Sequence, residues 1–126
     1  MKIKLSNVEI IDLIKKYAIN KYPELENKNL KVTVSIGEFE GSGDSICYKA
    51  SGYYEYETEY EVLGTKLVGK QLTNLTGEII IGILKEIFER EGFKVDLSSY
   101  GRESITLEVE KENEKKLILG GLKWKY

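Results

Sequence analysis

Tyr54, Tyr56 and Tyr60 alternate with Glu55, Glu57, Glu59 and Glu61 in a stretch that reads SGYYEYETEYEV. Successive side chains of an extended chain point to opposite faces, so Tyr54, Tyr56, Thr58, Tyr60 and Val62 separate from the four carboxylates. Carboxylates in a row repel one another and cannot be buried without partners; their face must meet water, lysines of a neighbouring strand or a basic partner. The tyrosine face must pack. A phenol joins a large apolar ring to a polar tip, which suits either of two roles: covering a helix at the edge of a core, or lining a ligand pocket or subunit interface. Tyr54, Tyr56 and Tyr60 are therefore candidate ligand contacts. Tyr100 and Arg102 in SYGRES join them, because a ring beside an arginine can stack on and neutralise a nucleotide, and arginine occurs only at 90 and 102.

Other short patterns offer less. GTKLVGKQ, residues 64–71, has the glycine and lysine spacing of a phosphate-binding P-loop. Gln71 stands where that motif needs a Ser or Thr hydroxyl for magnesium, and QLTNLT follows instead of an immediate helix. The turn EGSGDS could form a backbone nest for an anion or offer oxygens to a cation, but is explained as a hairpin turn. Glu38, Glu40 and Asp44 near it are the carboxylates that an acid-base enzyme without histidine would have to use. Cys47, the single cysteine, reads as a small packing residue.

Composition excludes more than it suggests. A chain of 126 residues with 41% hydrophobic content fits one α+β domain. The formal net charge of -2 gives no bulk attraction to phosphate, so direct nucleic-acid binding is not expected. With no histidine in the chain, His-based zinc sites and Ser-His-Asp catalysis are out, and neither a metal nor a cofactor is expected. No apolar run approaches the roughly 20 residues of a membrane span, and the start MKIKLSNVEI has no signal-peptide core; the expectation is a cytoplasmic protein without membrane contact.

These residues need elements to position them. Ser6 and Glu9 have capping-box spacing, and Leu5 with Ile10 a staple's. Ile10, Ile11, Ile14, Tyr17, Ala18 and Lys21 recur at three and four, predicting a helix over residues 7–22 that Pro23 ends. Val32, Val34 and Ile36 alternate with Thr33 and Ser35, the pattern of a half-buried strand. Ile46, Tyr48 and Ala50 begin a second strand, Ser51-Gly52 turns or bulges the chain, and the tyrosine stretch makes a third. Thr76 caps a helix over 77–91 with Ile80, Ile83, Leu84, Ile87 and Phe88 inward and Gly92 as its left-handed stop. Ile79 and Ile81 widen that apolar stripe enough to suggest a second subunit. FKVDL, ESITLEVE and the C-terminal stretch, with Leu122, Trp124 and Tyr126 on one face, complete the strands. The expected fold is α+β, two helices packed on a curved, mainly antiparallel sheet in the order α-β-β-β-α-β-β-β.

No motif singles out an activity. The reading that follows is a non-catalytic binding protein, homo-oligomeric through the second helix or the aromatic strands, that sequesters a small polar ligand, a nucleotide among them, or blocks a host protein. The Lys- and Ile-rich composition fits an accessory gene of a phage or mobile element that antagonises host defence. A glutamate row mimicking nucleic-acid phosphates and a carboxylate-only enzyme are the two alternatives.

Overall fold

The computed structural model describes residues 1–40 and 46–111, the side chains of residues 38–40, 46 and 47 excepted. The elements are β1 (Lys2–Ser6), α1 (Asn7–Lys21), a 3-10 turn (Pro23–Asn27), β2 (Lys31–Glu40), β3 (Ile46–Val62), β4 (Thr65–Thr76), α2 (Gly77–Arg90), β5 (Phe93–Gly101) and β6 (Ser104–Lys111). The fold is α+β; from α1 onward the helices and strands follow the expected succession, and β1 precedes them. The turn expected in EGSGDS, with Asp44, the side chains of Glu38, Glu40 and Cys47, and the strand expected to carry Leu122, Trp124 and Tyr126 lie outside the described residues.

Both helices start in the same way. At α1 the Glu9 N–H donates to Ser6 Oγ at 3.2 Å and the Ser6 N–H donates to Glu9 Oε1 at 2.9 Å, completing the capping box. At α2 the Ile79 N–H donates to Thr76 Oγ1 at 3.2 Å. Each helix grows directly out of a strand, and the cap is that strand's last residue. Ile10, Ile14 and Ala18 are buried along α1, and Ile80 and Leu84 along α2. Gly92 has φ +90°, as expected of the residue that stops α2.

The strands form two three-stranded antiparallel sheets, ordered β1-β6-β5 and β4-β3-β2, where one curved sheet was expected. The written orders expose a repeat. The unit is β-α-β-β, used twice, and in each sheet the strand that precedes one helix pairs with the last strand of the neighbouring hairpin. The repeat also runs through the sequence at a spacing of 70 residues: Leu5 and Leu75, Ser6 and Thr76, Ile10 and Ile80, Ile11 and Ile81, Lys15 and Lys85 correspond. One core joins the two halves. It draws Leu5, Ile10 and Ile14 from one, Leu75, Ile80 and Leu84 from the other, Val34 and Ile36 from β2, and Ile105, Leu107 and Val109 from β6.

Two partitions of the chain differ from expectation. Ser51-Gly52 does not turn; β3 runs through it, because Gly52 lies between Val34 and Leu75 on its two flanking strands. A Cβ there would run into the Thr33 carbonyl oxygen, so glycine permits a close approach of strands. The turn falls later, at Leu63-Gly64, both with positive φ (51° and 77°), as a two-residue β-hairpin loop requires. GTKLVGKQ and QLTNLT then become β4, whose backbone is engaged in the ladder with β3; no phosphate loop forms.

Ser6→Ala should lower unfolding free energy by about 1 kcal/mol in urea denaturation, and Thr76→Ala by a similar amount. Glu9 has its carboxyl held below the ordinary 4.5, first by the Ser6 backbone N–H and then by its hydroxyl. That contribution is complete above the ordinary value and lost as pH falls through the depressed one. Glu9→Gln should therefore flatten the acid limb of a stability-pH curve, which acid titration of urea midpoints would read.

Candidate functional site

β3 brings its tyrosines past the C-terminal end of α1. Across the sheet, Tyr54 stands between Val32 of β2 and Thr73 of β4. It is half-buried and packs against both the main core and a smaller cluster of Ala18, Leu25 and Leu30. Tyr56 covers the same small cluster and stacks beside Tyr54, with ring centres 6.5 Å apart and planes 21° from parallel. Lys28 places its ammonium 5.9 Å from the Tyr56 ring centre. The extended ribbon expected at 53–62 is present, and Tyr54 and Tyr56 close the end of α1.

Tyr60 is elsewhere. It lies beyond the body of the protein, 46% exposed, with its ring over Gly69 and its hydroxyl accepting from Gln71 Nε2 at 2.6 Å. Tyr100 is in β5, not in a turn, because the turn begins one residue later at Gly101–Ser104. Its hydroxyl lies against the first residue of α2, where a Cβ on Gly77 would come within 2.6 Å. Tyr100 thus faces the main core, and Arg102 sits in the exposed turn with Glu103. Of the five candidate ligand contacts, Tyr54 and Tyr56 are brought together, and Tyr60 and the Tyr100/Arg102 pair are left at separate places.

The glutamate row meets lysines of its own chain. Glu57 stands opposite Lys70 and Glu61 opposite Lys66, while Glu55 and Glu59 oppose Leu72 and Val68. Asn29 also donates from Nδ2 to Glu57 Oε2 at 3.2 Å. Facing lysines dilute the negative charge of the row.

Between the end of α1, the start of α2 and the sheet lies a groove of about 240 Å³. Its apolar lining comes from Ile14, Ala18, Leu75, Ile79 and Ile83. Three phenols, Tyr17, Tyr22 and Tyr54, flank it, and Lys21, Thr73 and Asn74 supply its polar groups. The Lys21 ammonium is 5.7 Å and 5.9 Å from the ring centres of Tyr17 and Tyr22, and it makes no ion pair with a carboxylate among the described residues. Of the neighbouring cations, Lys16 pairs with Asp12 at 2.9 Å and Arg90 with Glu86 at 3.3 Å. No lining residue is a carboxylate, thiol or imidazole.

Tyr17 is the fixed wall of this groove. A hydrogen bond to the Glu86 carboxylate, followed by burial, holds its phenol above the usual range, and the Arg90 guanidinium packs 5.6 Å from its ring centre. Tyr17, Lys21, Tyr22 and Asn74 had not been singled out as ligand contacts. One signal in the sequence pointed to them: a lysine at the last position of an otherwise apolar stripe, one residue before a tyrosine.

Among the described residues no cluster of three potential metal ligands occurs, and no helix is long and apolar enough to cross a membrane. No family model, curated protein or solved structure matches the chain.

Glu86→Gln should lower the titration midpoint of the Tyr17 phenol, read by NMR on ring-labelled tyrosine. The raised pKa means that the Tyr17 contribution to stability is present below the ordinary value of 10.0 and is lost as pH rises through the elevated one. In the variant that loss should be smaller.

Proposed function

We propose that the protein is a non-catalytic binding protein whose groove holds a small ligand with one aromatic ring and an anionic group. The observation that carries this reading is Lys21: an ammonium without a carboxylate partner among the described residues, beside an apolar hollow flanked by three phenols. A ring entering the hollow would gain apolar burial and aromatic contact with Tyr54 and Tyr22. An acidic substituent would meet the lysine, and Asn74 and Thr73 offer hydrogen bonds at the sheet side.

Size narrows the class. About 240 Å³ falls below the roughly 300–1,000 Å³ of sites for drug-sized molecules, which fits a single-ring acid or a pyrimidine nucleoside monophosphate and not a dinucleotide. The lining offers donors and rings but no group suited to taking a proton at neutral pH or to attacking a substrate, which favours sequestration over chemistry.

Titration calorimetry with uridine monophosphate and with 4-hydroxybenzoate tests the reading. Saturable one-to-one binding is expected for at least one of them. Lys21→Ala should weaken it by about 10- to 100-fold, as loss of a charged hydrogen bond does, and Tyr54→Ala by up to about tenfold. Absence of binding by both probes and of any small molecule in native mass spectra of the purified protein would overturn it, as would binding that neither substitution changes.

A further inference from the structure

The repeat marks off a part of the molecule that extends beyond the shared unit. At the spacing of 70 residues, β1 (Lys2–Ser6) corresponds to Leu72–Thr76, the last five residues of β4. The ribbon beyond that point, from the pair Tyr56/Gln71 to the pair Val62/Thr65, has no paired counterpart among the described residues of the other half. It is an arm. A two-stranded ribbon on its own is marginal in water, yet this one carries Tyr60, Val62, Leu63, Leu67 and Val68 as exposed large apolar residues, with Leu72 exposed at its base.

The two edges of the arm differ. On the β2 side, β2 pairs as far as Lys31 with Glu55, and the Glu57 N–H donates to the Lys28 carbonyl at 2.8 Å. On the other side, β4 is the last strand of its sheet among the described residues, and every residue from 65 to 74 except Gly69 is exposed. A long, flat edge strand with unpaired backbone groups is a template for another strand.

We propose that β4 pairs antiparallel with β4 of a second copy of this chain, across a two-fold axis at Gly69, joining two three-stranded sheets into one of six. The choice of occupant and of register comes from charge. A two-fold antiparallel pair sets one residue on the axis and places residues equally far from it opposite each other on one face. With the axis at Val68, Lys66 would face the partner's Lys70. With the axis at Lys66 or Lys70, a lysine would face its own copy. At Gly69, the middle of the free stretch 65–73, Lys70 faces the partner's Val68 and Lys66 faces the partner's Leu72.

That register leaves no like charges opposite each other. Each lysine keeps its own glutamate on one side, Glu57 for Lys70 and Glu61 for Lys66. Its alkyl stem covers an exposed apolar residue of the partner on the other. Beyond that residue stands the partner's Glu59, or the partner's Glu55 with Lys31 of its own β2 on the far side. Across the four strands of the two arms the sequence is acid, base, apolar, acid in both rows, which is self-complementary as a symmetric interface must be.

Val68→Lys separates this proposal from an effect on folding. Val68 is 67% exposed and stands opposite Glu59 in its own chain, so the lysine gains a partner within the monomer. Between copies it would face Lys70 twice. Sedimentation equilibrium of the full chain should give a dimer for wild type, and Val68→Lys should weaken association by about tenfold or more, since like charges directly opposite destabilise. Leu72→Lys, which would face the partner's Lys66, should act in the same direction. Val68→Glu should keep or tighten the dimer despite standing opposite Glu59 within its own chain. Melting temperatures of the lysine variants, measured at dilution where wild type is monomeric, should match wild type. A wild type that stays monomeric to its solubility limit overturns the proposal. So does a dimer indifferent to all three substitutions, or hydrogen-exchange protection in the monomer of those amides of 65–73 that point away from β3, which would place a segment of the same chain on that edge. None of these outcomes depends on whether the groove takes a ligand.

Discussion

Ile10, Ile14, Ile80 and Leu84 are almost wholly withdrawn from water, and the rest of the architecture follows from the need to bury them at once. Each side chain contributes about 1.5–3 kcal/mol by leaving solvent, which is large beside the usual net stability of a domain. Neither helix finds a complete surface within its own half. The sheet beside each half is finished by the strand that leads into the other half's helix, so β1 lies in the sheet of β5 and β6, and β4 in that of β2 and β3. The halves cannot separate without exposing both stripes. The capping hydroxyls, Ser6 and Thr76, sit where strand becomes helix and fix the point at which each stripe begins.

This exchange of strands also makes the groove. Tyr54 arrives from β3, Thr73 and Asn74 from β4, Tyr17 and Lys21 from the end of α1, and Ile79 and Ile83 from α2. Four elements from both halves meet there because α1 ends, at Pro23, before it has covered the sheet. The hollow is what remains between the last turn of one helix, the first turns of the other and the strand that caps the second. Tyr17 stands in one wall, with the Glu86 carboxylate and the Arg90 guanidinium beside it.

The arm obeys different energetics. Beyond Tyr56 and Gln71 its contacts among the described residues are cross-strand pairs, the hydrogen bonds of Glu57 with Lys28 and Asn29, and one ring laid over a glycine, and none of its residues belongs to the buried core. Pairs of this kind contribute about 0.2–1 kcal/mol each. The Gln71 amide on the Tyr60 hydroxyl and the ring over Gly69 stiffen the ribbon, but they leave apolar side chains in water on both faces. The sequence keeps charge there as well, with glutamates and lysines facing each other in register.

Periodicity was enough to locate both helices to within a residue at each end, their caps, the inward faces of Val34 and Ile36, and the sorting of rings from carboxylates in β3. All of these are local: they depend on side chains three, four or two positions apart and on hydroxyls beside free N–H groups. The sequence also held the 70-residue echo of Leu5-Ser6 and Ile10-Ile11 in Leu75-Thr76 and Ile80-Ile81, a signal visible only once the unit is known to begin with a strand. What lay beyond it was which strands pair, that Ser51-Gly52 is a close approach and not a turn, that Tyr60 and Tyr100 go to different places, and that Lys21 ends beside Tyr54. Those outcomes are contacts between residues tens of positions apart, set by how two incomplete halves bury four side chains together, and no spacing along the chain encodes them.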